Sequence, residues 1–347
     1  MARTLTLRRP DDWHLHLRDG AAMRSIVKFT AQRFSRAIVM PNLEPPVTTV
    51  AAAAGYRRRI LDALPPDCAF EPLMTLYLTD AMPPSEIDAA RAQGTIFGAK
   101  LYPAGATTHS DAGVRSVDNI AGVLARMEEK RLPLLVHGEV TDPTVDVFDR
   151  EARFIDRVLA PLVERYQALK VVLEHVTTRA GVDFVNSARQ GVGATITPQH
   201  LLLNRSALFQ GGIRPHLYCL PVLKRESDRE ALVDAATGGS ARFFLGTDSA
   251  PHAQSAKETA CGCAGIFSAH AALELYAEVF EAAGRLDQLE AFASHYGADF
   301  YDLPRNEGMV TLVKEEWRPP ATYEFGAESL VPFRAQESIA WRLRGAS

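Results

Sequence analysis

The chain has 347 residues, 47% of them hydrophobic and 23% charged, with a formal net charge of −4. That is globular composition with ample length for a large core, and it excludes the basic footprint of a nucleic-acid binder. Four cysteines do not make a disulfide scaffold in a chain this long, no stretch approaches the roughly 20 apolar residues of a membrane span, and the N-terminal MARTLTLRRP has no apolar signal region, so the expected compartment is the cytoplasm.

In chain order, residues 4–7 alternate polar and apolar and read as a short antiparallel strand. A helical pattern over 21–34 precedes a strand over 37–40. The next helix, 48–64, carries Arg57, Arg58 and Arg59 on what reads as a solvated face. Strands then fall at 73–78, 95–101, 134–137, 171–175, 194–197 and 243–247. Between and after them come helical patterns at 84–93, 117–131, 147–169, 178–189, 227–237, 265–283 and 288–301. The clearest is 147–169, where Phe154, Ile155, Val158, Leu159, Leu162, Val163 and Tyr166 form one stripe at i, i+3, i+4 spacing. Most strands are continuous apolar runs, as expected for parallel strands covered on both faces. Repeated strand–helix alternation predicts an α/β fold, and seven or eight such units favour a closed (β/α)8 TIM barrel over an open sheet. The expected organisation is a single domain over 1–347, with the N-terminal strand before the barrel. The segment after Pro304, with Trp317, Pro319 and Pro320, fits no barrel unit and is expected to pack outside it.

In a barrel, catalytic groups stand at the C-terminal ends of strands. His14 and His16 are two residues apart, so in a strand they point to one side. They hold one metal together, or they are two satisfied histidines on a polar face. Lys100 ends the apolar run before Tyr102, where a lysine is expensive to bury unless paired or modified. It binds an anion, reaches back to water, or becomes a carbamate whose oxygens bridge two metals. His137 and His175 close two consecutive apolar strands. Asp248 follows the last strand, as a metal ligand and proton carrier or as a helix N-cap. Six such residues at the strand ends of one barrel are hard to explain separately. The set suits hard or borderline metals with N and O ligands, such as zinc.

The segments WHLHLRDG, MPNLEPPVTT, AKLYPAGATT, PLLVHGEV, VLEHVTT, ITPQHL, RPHLYCLPVLK, GTDSAPH and CGCAGIF run in order from about residue 9 to 303. They resemble the single-barrel, class II bacterial dihydroorotases of the amidohydrolase superfamily. The resemblance implies two Zn2+ per subunit, bridged by carbamylated Lys100 and a hydroxide. His14, His16, Lys100 and Asp248 would hold the more buried ion, and Lys100, His137 and His175 the other. Arg18, Asn42 and His252 would grip the substrate carboxylates. Backbone at Leu220 and Ala264 would contact the ring amide, and Thr107 and Thr108 would ride a closing loop over 103–113. Arg18 offers a planar fork to a carboxylate, and the loop is rich in Gly, Thr, Ser and Asp, as a lid requires. Gly105 and His109 depart from the Asn expected in close relatives, which bears on the lid and not on the metals. Cys261 and Cys263 are not at a zinc-finger spacing and are assigned no metal.

The implied reaction is the reversible closure of N-carbamoyl-L-aspartate to L-dihydroorotate in pyrimidine synthesis. Asp248 carries the proton between the bridging hydroxide and the leaving nitrogen. The expected partner is a small-molecule substrate, with no nucleic acid and no membrane, and the resemblance suggests a homodimer. Two rivals stand beside this reading. One is another cyclic amidase, such as a hydantoinase or allantoinase, which needs no clamp for a ring carboxylate. The other is a catalytically dead homologue acting as a scaffold.

Overall fold

The apolar runs fold as parallel strands of one sheet. The computed structural model describes residues 3–66 and 68–346; Met1, Ala2, Asp67 and Ser347, which fall inside the expected span 1–347, lie outside the described residues. The elements are β1 (Thr4–Arg8), β2 (Asp11–Leu15), α1 (Gly20–Arg33), β3 (Arg36–Val39), α2 (Val50–Asp62), β4 (Glu71–Tyr77), α3 (Ser85–Gln93), β5 (Ile96–Leu101), α4 (Ala121–Lys130) and β6 (Leu134–His137). There follow α5 (Arg150–Phe154) and α6 (Ala160–Arg165), joined by a π-turn, then β7 (Val171–Glu174), α7 (Arg179–Ser187), β8 (Val192–Ile196), α8 (Pro198–Leu202), α9 (Glu226–Thr237) and β9 (Phe243–Leu245). The chain ends in α10 (Gln254–Lys257), α11 (Ala272–Ala282), α12 (Tyr296–Phe300) and the strands β10 (Met309–Val313), β11 (Tyr323–Phe325), β12 (Glu328–Leu330) and β13 (Arg342–Ala346).

The eight strands β2 to β9 pair in sequence order, all parallel. The ring closes where Asp248 N donates to His14 O (2.9 Å) and His16 N donates to Ser249 O (3.1 Å). Strand residues alternate between two apolar layers. Ala37, Val39, Leu76, Leu134, Val136, Leu173 and Ile196 face the helices. Trp13, Ile38, Leu73, Leu135, Val172 and Phe244 fill the barrel's interior floor, where Trp13 stacks on Tyr301 with ring centroids 4.6 Å apart. Helix starts follow side-chain chemistry. Asp19, Thr49 and Thr178 accept backbone N–H bonds at the heads of α1, α2 and α7.

The structure differs from the sequence expectation most clearly at one helix. The helix expected over 265–283 begins at Ala272, because the preceding residues are held extended against the site: Ala250 N donates to Ile266 O (2.8 Å), and Ser249 Oγ accepts from Ser268 N (3.1 Å) and Ala269 N (3.0 Å). The segment after Pro304 returns to the start of the chain. β10 pairs antiparallel with both β1 and β13 in a separate three-stranded sheet, and buried Trp341 donates its indole N–H to Glu281 (3.0 Å). Among the described residues, no helix is long and apolar enough to cross a membrane.

Candidate metal centre and substrate pocket

The i, i+2 spacing of His14 and His16 brings their Nε2 atoms to 3.2 Å from each other. Asp248 Oδ1 lies 3.3 Å from His14 Nε2 and 3.2 Å from His16 Nε2, so three ligand atoms form a near-equilateral triangle. Ligands about 2.0–2.1 Å from a tetrahedral zinc stand roughly 3.3 Å from one another, so the triangle fits one face of such a site. The far side of His14 is also held: its Nδ1 lies 3.2 Å from Glu174 Oε1. Beneath it, the buried Asp12 carboxylate accepts from Thr247 N (2.8 Å), Thr247 Oγ (2.6 Å) and His14 N (3.2 Å), which ties β2 to the end of β9. Burial pushes the Asp12 carboxyl up to about 7, against those hydrogen bonds.

Lys100, His137 and His175 gather beside this triangle. The His175 ring lies 4.9 Å, centroid to centroid, from both His14 and His137. His137 Nε2 faces Glu139 Oε2 at 3.0 Å, the kind of carboxylate contact that orients a histidine ring. The Lys100 side chain is fully buried; its Nζ pairs with Glu174 Oε2 and lies 5.1 Å from the Tyr102 ring centroid. Burial disfavours the Lys100 ammonium, and it lowers His14, His137 and His175 and brings His16 down to about 4. Neutral imidazole is the ligating form. Burial alone would raise the Asp248 carboxyl, but His14 and His16 hold it well below the usual range. Nδ1 of His16 and of His175 is buried without a hydrogen-bond partner, and the ion-pair contacts of His14 Nδ1 and Lys100 Nζ with Glu174 fall outside hydrogen-bond geometry. Two groups, His14–His16–Asp248 and His14–Glu174–His175, are close enough to hold a metal ion. The donor set fits a metal centre.

Arg18, His175 and Asp248 have φ of 60°, 44° and 45°, a left-handed backbone uncommon outside glycine. Each is held there by its surroundings. Tyr56 Oη donates to Arg18 O (2.6 Å), His175 N to Thr195 Oγ (2.7 Å), and Asp248 N to His14 O. Backbone strain held in place by such contacts is a feature functional sites share.

Arg18 is half-buried at the mouth. Its Nε donates to Pro251 O (2.9 Å) and its Nη2 lies 2.9 Å from His252 Nε2. His252 also lies 3.0 Å from Ala264 O, and burial followed by Arg18 holds its ring down to about 2. Asn42, Thr107, Thr108, Leu220 and Ala264 line one cleft with His14, His16, Arg18, His137, His175 and Asp248; Lys100 lies beneath it and His252 reaches it through Arg18. The loop over 103–113 is closed across this cleft. Asn42 Nδ2 donates to Thr108 O (3.3 Å), and Thr108 Oγ approaches Ala264 O (3.5 Å). Gly105 (φ 78°) and His109 (φ 55°) both sit in the left-handed region that Asn tolerates, so the departures fall where backbone conformation limits the choice of residue.

Sequence reasoning missed Asp12, Tyr102, Glu139 and Glu174. The signal for Glu174 was present, an acid inside an otherwise apolar run beside His175.

The amidohydrolase family profile matches residues 12–314. A dihydroorotase from Laribacter hongkongensis is 64% identical over 343 residues, covering 99% of each chain. Among solved structures, a dihydroorotase from Campylobacter jejuni superposes with a TM-score of 0.91 at 36% identity, over 99% of this chain and 98% of that one. A dihydroorotase from Saccharomyces cerevisiae in complex with 5-fluoroorotic acid gives a TM-score of 0.91 at 32% identity, over 99% of each chain.

Proposed function

The chain belongs to the amidohydrolase family, and on that premise we propose that it catalyses the dihydroorotase reaction, the reversible interconversion of L-dihydroorotate and N-carbamoyl-L-aspartate in de novo UMP synthesis. Near-full-length likeness to dihydroorotases carries this reading.

His14, His16, Lys100 and Asp248 would hold one zinc ion and Lys100, His137 and His175 a second, with Lys100 carbamylated and shared. The depth of Lys100 supports this, since a buried bare ammonium is expensive, whereas its neutral amine adds to CO2 with release of one proton. When bound, the zinc pair supplies a water of lowered pKa and Lewis acidity toward the amide carbonyl. The protein's residues do the rest. Asp248 accepts the proton lost by the attacking water and returns it to the ring nitrogen as the C–N bond opens. Arg18, with Asn42 and His252 beside it, receives the ring carboxylate in a charge-assisted contact. Backbone at Leu220 and Ala264 meets the ring amide, and Thr107 and Thr108 close over it and exclude water. The same likeness supports a single-barrel cytoplasmic homodimer, which light scattering on the purified protein reads for oligomeric state.

Dihydroorotate, hydantoin and allantoin assayed side by side test the function. Turnover of dihydroorotate, with hydantoin and allantoin at background, is expected. Preferred turnover of hydantoin or allantoin would make the chain a different cyclic amidase. No turnover by fully metallated protein would make it a scaffold.

A further inference from the structure

Two loops present backbone to the cleft, and neither belongs to the barrel sheet. One contains Tyr218 and Leu220, after the 3-10 turn Pro215–Leu217; the other contains Cys263, Ala264 and Gly265. Gly265 N donates to Tyr218 O (3.0 Å) between them. Lys257, the last residue of α10, sends its side chain into the junction and is 4% exposed. Its ammonium donates to Tyr218 O (3.0 Å), Cys263 O (2.9 Å) and Gly265 O (2.6 Å). An ammonium has three protons, so every donor is used, and all three acceptors are main-chain carbonyls drawn from both loops. A buried charge is a costly way to fill space, because an apolar side chain of the same length avoids the desolvation. What the charge supplies here is a three-way tie.

The tie falls on the residues that meet the substrate. Cys263 and Gly265 flank Ala264, so the main chain is fixed on both sides of it. Tyr218 lies two residues before Leu220. The second loop is also seated directly on the segment carrying the carboxylate-side histidine. Gly265 has φ 151°, a Cβ on it would lie 2.4 Å from Ala250 O and 2.9 Å from the His252 ring, and His252 Nε2 lies 3.0 Å from Ala264 O.

We propose that Lys257 is a positioning residue for substrate binding: its ammonium clamps loops 218–220 and 263–265 together, so that the backbone at Leu220 and Ala264 is preformed for the ring amide. The inference rests on the function proposed above, which gives those backbone groups their ligand. The lysine never touches the reacting atoms. Its contribution is to binding that is equal in the ground and transition states, and such binding appears in KM rather than kcat.

The test uses full-length, metal-loaded Lys257→Met and Lys257→Gln. Both are expected to keep the wild-type metal content. KM for dihydroorotate rises at least tenfold in Lys257→Met and less in Lys257→Gln, which retains two donors, while kcat stays within threefold. Hydrogen exchange of the Gly265 amide accelerates in both variants, with the amides of β6 and β7 unchanged. An unaltered KM in folded Lys257→Met, or activity lost in step with metal, overturns the proposal. Failure of both variants to fold also overturns it, by assigning Lys257 to the fold as a whole. Wild-type protein that never turns over dihydroorotate removes the functional reading instead. The exchange measurement then still decides the clamp, because unchanged exchange at Gly265 refutes it.

Discussion

The interior of the barrel has a floor and a rim, and on several strands they are two residues apart. On β6, Leu135 belongs to the apolar floor and His137 to the cleft; on β7, Val172 lies in the floor and Glu174 beside Lys100. The parallel register keeps these pairs level, with Leu135 opposite Val172 and His137 opposite Glu174. Two residues of strand rise roughly 6.6 Å. Within that distance the lining changes from an apolar layer of Trp13, stacked on Tyr301, with Leu73 and Phe244, to histidines, a lysine and carboxylates. The left-handed backbone of His175 and Asp248 also lies at the rim. The floor follows the rules of a packed core. The rim violates them at one place, as functional sites do.

If the rim is one chemical unit, Lys100→Ala has the largest effect: turnover falls to background and most bound metal is lost, as elemental analysis reads, with partial return of both on adding short carboxylates. Full metal content in that variant would separate Lys100 from the rim. Next is Asp248→Asn, expected to abolish hydrolysis and ring closure together even where metal is retained. In the wild type, hydrolysis requires the ionised carboxylate and closure the protonated one, so hydrolysis rises and closure falls as pH increases. A variant holding two metals with wild-type pH limbs would assign the proton transfer elsewhere. Arg18→Met is expected to lower kcat/KM at least tenfold without changing metal content, because a charge-assisted hydrogen bond contributes about 1.5–3 kcal/mol. Leu135→Ala is the floor's counterpart. It should destabilise the fold by about 2–5 kcal/mol in denaturant titration while metal content and kcat/KM of the folded fraction stay near wild type. Loss of metal there would erase the division between floor and rim.

The smallest expected effect lies just outside the rim. Burial pushes the Lys257 ammonium down to about 8, partly offset by Cys219 and Cys263 and reinforced by Arg18. The charge is present below that pH and lost above it, so KM for dihydroorotate should rise modestly as pH is raised through it. Lys257→Met should lack that rise, and an identical KM profile in both proteins would contradict the assignment.

The rim was legible because its residues interrupt apolar runs. His137 closes β6, Lys100 is the last residue but one of β5, Asp248 follows β9 by three residues, and His14 and His16 share a face by simple alternation. Glu174 and His175 were harder, since adjacent strand residues point to opposite sides. Both reach the site because the chain turns at His175 into a left-handed conformation, which periodicity does not carry. The Lys257 tie reaches back 39 residues to Tyr218, and the β1–β10–β13 sheet joins the two ends of the chain. Such contacts leave no local pattern. The early residues of the 265–283 helix were misread because Ile266 packs with Leu217 and Phe333, and Phe267 and Ala269 with Ile26 and Leu330, while their backbone is held extended by Ser249 and Ala250.

On the proposed function the rim works as a two-metal centre on dihydroorotate. Its most direct test is to strip the protein of metal with a chelator and titrate zinc back while following dihydroorotate turnover. Activity should start at background and rise to a plateau at two zinc ions per chain. Full turnover by the stripped protein, or a plateau reached at one ion, would contradict it.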